Sequence, residues 1–267
     1  MERKTLCFPF IFCLHLHRFI HPLNPPNYLM ATIETCLSPD LLPLHEVAAK
    51  NVVIVDIFRA TSTMVAALAN GVSSILPIMD LESCRAKASE GYVIAGERNG
   101  KTASGFELGN SPLAYTNGQY AGKRIAMTTT NGTVAIEKTA SFANQIVLGA
   151  FINLESTANY LLEQKEDVLI VCAGWKGKFN LEDSLYAGAL AKLLVPRMHT
   201  DCDATIAMRS LYESNEHRLK LFLSQAAHSK RLQNHGIEED IDFCLTLNQY
   251  SVVGVVKGGE LVVNSEN

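Results

Sequence analysis

At 267 residues and 48% hydrophobic, the chain can bury one large core or two lobes. Its formal net charge of −4 carries no basic footprint for nucleic acid, although a local patch can still hold an anion. Seven cysteines, odd in number and without a CxxC pair, exclude a disulfide framework and a thiolate zinc site and point to reduced thiols in a cytoplasmic protein.

The first 29 residues differ from the rest. A basic start and an apolar run suggest a signal peptide, but His15, His17, Arg18 and His21 crowd the end of the run and no small-residue cleavage site follows. The run is also too short to span a bilayer. Met30 directly precedes Ala-Thr-Ile-Glu-Thr, which reads as an opening strand. Residues 1–29 are therefore expected to be a disordered or mis-called extension, and residues 30–267 the folded domain.

Further along, Val52–Val55 is a continuous β-branched run of the kind buried on both faces of a sheet. Thr63–Asn70 has helical composition, with Gly71 placed to stop it. Ser73–Ile78 reads as strand, Ser83–Glu90 as helix, and Tyr92–Ala95 as strand running into Gly96-Glu97-Arg98. The stretch Asn99–Thr116 lacks periodicity, and its glycines and Asn110-Ser111-Pro112 indicate an ordered, turn-rich excursion. Alternation then resumes: strand at Arg124–Thr128, helix at Gly132–Ala140, strand at Gln145–Gly149, helix at Leu154–Gln164. Asp167–Cys172 is another buried-type strand, Leu181–Leu194 a helix, and Asp203–Ala227 further helix. Ser251–Val256 and Glu260–Val263, joined across Lys257-Gly258-Gly259, read as a β-hairpin. Strand–loop–helix alternation of this kind predicts an α/β fold with a mainly parallel sheet and helices on both faces.

In such sheets ligands sit beyond the carboxyl ends of the strands. Four polar clusters follow candidate strands: Asp56 to Ser62, Gly96-Glu97-Arg98, Thr128 to Thr133, and Ala173-Gly174 through Glu182-Asp183. They combine acids, arginines and hydroxyls with helix starts, where unpaired N–H groups favour phosphate. Arginine matches the edge of a phosphate or sulfonate, and several carboxylates together can hold a magnesium ion. Taken singly, Asp56 or Thr61 is equally a helix N-cap, and Glu182-Asp183 are first-turn acids. Cys172, at the end of an apolar run, reads as core rather than nucleophile. No GxxxxGK[ST], strand-following GxGxxG or GxSxG is present. Asp56 at a strand end suits an aspartyl-phosphate phosphatase, but the second acid of a D-x-D pair is missing, because position 58 is Phe58.

The strings DIFRATST, AGER, GFELGNSP, TTTNGT and CAGWKGKFNLEDSLYAG, in that order, resemble the 2-phosphosulfolactate phosphatase (ComB) family. The tail is similar too, with Ser229–Leu232 (SKRL), Gly236, Asp240 and Cys244. The resemblance runs from about Ile33 to Val263. One departure is Ser229, where the family string has glycine.

The resemblance implies a three-layer α/β/α fold and a magnesium-dependent phosphoric monoester hydrolase. Its substrate would be (2R)-2-phospho-3-sulfolactate and its product 3-sulfolactate, a step towards coenzyme M. The expected magnesium ligands are Asp56, Glu97 and Asp183, with Glu182 either a substitute or an acid standing behind them. Arg59 and Arg98 are expected on phosphate and sulfonate. Thr61, Ser62, Asn110, Ser111, Thr129, Thr130, Asn131, Gly132 and Gly174 are expected around the substrate. Asp56 either attacks phosphorus or helps activate water, and the absent second aspartate favours water. The rival readings are a phosphatase of another short phosphorylated acid, a phosphotransferase or lyase, and a non-catalytic anion-binding protein. No nucleic acid or membrane partner is expected, and a homo-oligomer is left open.

Overall fold

The computed structural model describes residues 30–233 and 237–265, so the N-terminal extension and the tail glycine Gly236 lie outside the described residues. Each apolar run expected to be a strand forms one. Ile33–Cys36 is β1, and Asn51–Val55 is β2, buried along its whole length. Helix Ala60–Ala69 (α1) follows and ends at Gly71, whose φ of +88° suits glycine. There the Val72 N–H donates to the Ala67 carbonyl (3.1 Å) and the Gly71 N–H to that of Leu68 (3.1 Å), a Schellman stop.

Next come Ser74–Pro77 (β3), Leu81–Ala86 (α2), Val93–Arg98 (β4), Lys101–Thr102 (β5), Arg124–Thr128 (β6) and Gly132–Ala140 (α3). Gln145–Gly149 (β7), Leu154–Gln164 (α4), Val168–Cys172 (β8) and Leu181–Leu194 (α5) complete the central run. The turn-rich excursion after β4 is ordered, with β5 folded back on β4 and a 3-10 turn at Pro112–Tyr115. Beyond α5, the expected single helical stretch is broken into Asp203–Glu213 (α6), Leu219–Leu223 (α7) and Ala227–Gln233 (α8). Two polar residues end α6: Ser214 Oγ donates back to the Ser210 carbonyl and Asn215 Nδ2 to that of Leu211, competing with the helical ladder. Glu238–Cys244 (α9) forms a helix that the sequence pattern did not indicate.

The tail hairpin is Gly254–Lys257 (β9) and Glu260–Val263 (β10). It is not an edge appendage. The sheet order is β1-β8-β2-β7-β9-β10-β3-β6-β4-β5, so the hairpin joins two parallel groups, β1-β8-β2-β7 and β3-β6-β4. It pairs antiparallel at Val147↔Val255 on one side and Leu261↔Ile75 on the other.

Alternate residues of β2 divide between the two faces of the sheet. Val53 and Val55 pack with Leu185, Leu190 and Leu161 from α5 and α4. Val52 and Ile54 pack with Met64 and Val65 of α1, Ile136 of α3, and Ile75 and Ile125 of the other strand group. Helices thus cover both faces, giving the α/β/α layering expected. The five described cysteines are unpaired. Cys172 is fully buried in the core, where burial pushes its thiol well up, so it is core as read. No described helix is long and apolar enough to cross a membrane.

Candidate active site

Beyond the ends of β2, β4 and β6 lies a cleft of about 310 Å³. Asp56 follows β2 immediately and lines it. One of its carboxylate oxygens accepts the Ala60 N–H at 3.3 Å, starting α1. The Asp56 N–H in turn donates to Thr61 Oγ1 at 3.0 Å, while Thr61 donates to the Gly149 carbonyl at 2.7 Å. Ser62 donates to the Ile57 carbonyl at 2.9 Å. Both hydroxyls are buried and spent on backbone, so they brace the β2–α1 turn. The Phe58–Arg59 peptide in this turn is cis.

Glu97, within β4, lines the same cleft and accepts the Thr130 N–H (3.3 Å) and hydroxyl (3.1 Å) from the β6–α3 turn. Gly132, at the start of α3, lets that helix approach closely. A Cβ there would sit 2.6 Å from the Ala60 Cβ and 3.0 Å from Asp56 Oδ2. Thr129 exchanges capping bonds with Thr133 (3.2 and 3.3 Å). Asn131 lines the cleft and accepts the Lys176 N–H at 3.0 Å, tying α3 to the loop after β8. Asn110 also lines it, its buried side-chain carbonyl oxygen without a partner among the described residues.

Burial pushes the Asp56 carboxyl up to about 6; His228 and the Ala60 amide oppose this, while Glu97 and Glu182 add to it. Asp183 is also pushed well up, first by burial and then by Asp56 and Glu182. Its oxygens take the N–H groups of Ile57 (2.8 Å) and Gly174 (3.0 Å) and the Asn180 amide (2.8 Å). Asp183 therefore stitches the β2 and β8 loops together and does not line the cleft. Gly174 is part of that stitch; at φ +61° a Cβ would meet the Lys178 carbonyl at 2.2 Å.

Glu182 is fully buried and bonds His228 Nδ1 at 2.5 Å, leaving its second oxygen without a partner among the described residues. His228 lines the cleft from α8. Because Glu182 occupies Nδ1, Nε2 is the nitrogen left for a ligand.

The two arginines expected to hold anions lie differently. Arg59 lines the cleft, but its guanidinium is ion-paired with buried Asp240 of α9, which also accepts the Ser111 hydroxyl at 2.6 Å. Arg98 turns to the Met79 carbonyl (3.0 Å) and the Thr128 hydroxyl (2.9 Å) and does not line the cleft. In its place the opposite chain end supplies Arg231, which lines the cleft with its guanidinium 4.3 Å from the Trp175 ring centroid.

A model of the family described as 2-phosphosulpholactate phosphatase matches residues 36–259. The chain belongs to that family. Among its relatives, a Thermotoga maritima protein named "Probable 2-phosphosulfolactate phosphatase" is 40% identical over 223 residues, 84% of this chain and 96% of the relative. Proteins with the same name from Gloeobacter violaceus (38%) and Caldanaerobacter subterraneus (37%) are covered to 91% of their length, over 81% and 80% of this chain. The strings that carry the family resemblance fold together: the first, second, fourth and fifth contribute Asp56, Glu97, Asn131 and Trp175 to one cleft. The departure at Ser229 falls inside helix α8, where it is buried and no left-handed backbone is recorded.

Three residues that sequence reasoning assigned no role, Trp175, His228 and Arg231, line the cleft, and Asp240 neutralises Arg59. His228 and Arg231 share a helix face by their three-residue spacing, a signal present in the sequence. The strand-end rule does not reach it, because α8 follows α7 and not a strand.

Proposed function

We propose that this chain is a magnesium-dependent hydrolase of the phosphomonoester in (2R)-2-phospho-3-sulfolactate, releasing 3-sulfolactate and inorganic phosphate. It would act in the cytoplasm as a step towards coenzyme M. The observation that carries this reading is a single cleft in which two acids, Asp56 and Glu97, share the wall with His228 and Arg231.

The donor set suits magnesium. Among the described residues no three His, Cys, Asp or Glu side chains form a ready cage. Magnesium asks for less, commonly one or two carboxylates completed by water and phosphate oxygens. Asp56 and Glu97 are the acids that reach the cleft, and their mutual repulsion gives a cation something to relieve. Asp183 does not fit the role first expected of it, because its oxygens are engaged by two backbone amides and Asn180. Glu182 stands behind His228. A magnesium ion held by Asp56 and Glu97 would supply neutralisation of charge on the phosphoryl oxygens.

The chain's own residues do the rest. The positive end of α3, brought beside Asp56 by Gly132, favours the phosphoryl anion. Water attacks phosphorus as the ester P–O bond breaks, and the departing alkoxide of the hydroxy acid needs a proton. His228 supplies it from Nε2, with Glu182 fixing the ring at Nδ1. Phe58 occupies the place of the second acid of a D-x-D pair, which supports water rather than Asp56 as the attacking group.

The test is release of inorganic phosphate from phosphosulfolactate, phospholactate and phosphoglycolate, each with magnesium and with chelator. Magnesium-dependent release, fastest from phosphosulfolactate and yielding sulfolactate, is expected. Release from none of the three would overturn the reading, and a phosphorylated Asp56 trapped during turnover would overturn the water route.

A further inference from the structure

A substrate with three anionic groups needs cationic contacts besides the one at the transferring phosphoryl group. The cleft offers two arginines. Arg59 is buried and already balanced by Asp240, so it adds little net charge. Among the described residues Arg231 has no carboxylate within ion-pair distance, and its buried Nε has no hydrogen-bond partner. A guanidinium on a cleft wall with no carboxylate beside it leaves its charge for an anionic ligand to balance.

The geometry around Arg231 is suited to that ligand. Its guanidinium lies 4.3 Å from the centroid of Trp175, whose face fixes the plane of the fork. Trp175 in turn packs against His228, one helical turn earlier on α8, at 5.2 Å between ring centroids. Arg231 is thus held in a set orientation on the wall that carries His228, on an element separate from the Asp56 and Glu97 strand ends. A planar fork held in this way pairs with two oxygens of a carboxylate or sulfonate.

We propose that Arg231, stacked on Trp175, is the specificity residue that binds a non-transferred anionic group of the substrate, its sulfonate or carboxylate end. The proposal rests on the phosphatase reading for the identity of the substrate, but its test does not depend on turnover. Trp175 is the single tryptophan of the chain, so intrinsic fluorescence reports directly on the stacked pair.

The wild-type protein with magnesium is titrated with 3-sulfolactate, lactate and inorganic phosphate, following tryptophan emission. The same titrations are run on Arg231→Met, which keeps the length of the stem, and on Arg231→Lys, which keeps the charge but loses the fork. Arg231→Met should weaken 3-sulfolactate about 30-fold and inorganic phosphate less than about 3-fold; Arg231→Lys should fall between it and wild type. If lactate weakens in parallel with sulfolactate, the carboxylate is the group held; if only sulfolactate does, the sulfonate is. Equal weakening of phosphate and sulfolactate, or wild-type affinity in Arg231→Met, overturns the proposal. Should wild type bind sulfolactate through Arg231 yet release no phosphate from any ester, the phosphatase reading falls and the anion site stands.

Discussion

Asp56 follows β2 with its side chain buried, one carboxylate oxygen on the Ala60 amide and the other beside the start of α3. Its folded-state pKa of about 6 lies above the ordinary value near 4. A raised carboxyl favours the folded state fully below the ordinary value, and that advantage is lost as pH climbs through about 6. In metal-free protein the ionised group is therefore a burden above pH 6. Asp56→Asn should raise stability by on the order of 2 kcal/mol at pH 8 and by little at pH 4, read from urea midpoints under chelator. It should also lower phosphate release about 1,000-fold or more, and near-normal turnover would remove Asp56 from the chemistry. For His228 the decisive comparison is the leaving group. His228→Gln should slow hydrolysis of an alkyl phosphate about 100-fold but of 4-nitrophenyl phosphate less than about 5-fold, because nitrophenolate departs without a proton. Equal losses on both esters would make His228 a positioning residue.

At the scale of elements, the site depends on how closely α3 approaches α1. Gly132 makes that approach, and the Cβ of Gly132→Ala would sit 2.6 Å from the Ala60 Cβ and 3.0 Å from an Asp56 oxygen. Neither neighbour has a flexible stem, so α3 must move. We expect a loss of about 1–3 kcal/mol in stability, with a fall in turnover larger than in Asn131→Ala, measured by thermal melts and phosphate release. What the sequence made legible follows the same physics. β2, β6, β7 and β8 are runs rich in buried apolar residues, read within a residue of their observed ends, as are α3, α4 and α5. The strand-end rule then led to Asp56, Glu97, Asn131 and Gly132. It was blind to α8 and α9, which follow no strand and reach the site from about 180 residues away in the chain, as the Arg59–Asp240 pair does at a separation of 181. It also credited Asp183, Thr61 and Ser62 with ligand contacts, because composition does not distinguish a side chain facing a cleft from one facing its own backbone.

For the whole molecule, the last strands decide whether the two parallel groups form one sheet. The tail was readable as a hairpin from Lys257-Gly258-Gly259 and its flanking valines, but its place was not, since its neighbours Val147 and Ile75 lie more than 100 residues earlier. Gly254 shows how tightly it is held: a Cβ there would lie 2.9 Å from Leu148 and 3.0 Å from Leu68. Val255 and Leu261 are fully buried, one in each of the two cores. Removing the hairpin would bare the facing edges of β7 and β3, both apolar, at the centre of the sheet rather than at a protected margin. The cleft would suffer as well, because Asp56 belongs to one strand group and Glu97 to the other. A chain ending at Tyr250 should therefore lose cooperative unfolding and associate through the bared edges, seen as a broadened melt and high-mass species on gel filtration. Supplying residues 251–267 as a peptide during refolding should restore part of the monodisperse fraction and of the phosphate release together. A truncated chain that melts sharply and turns over normally would show that the two groups dock without the hairpin, and that the helices α1 and α3 between them hold Asp56 and Glu97 in place.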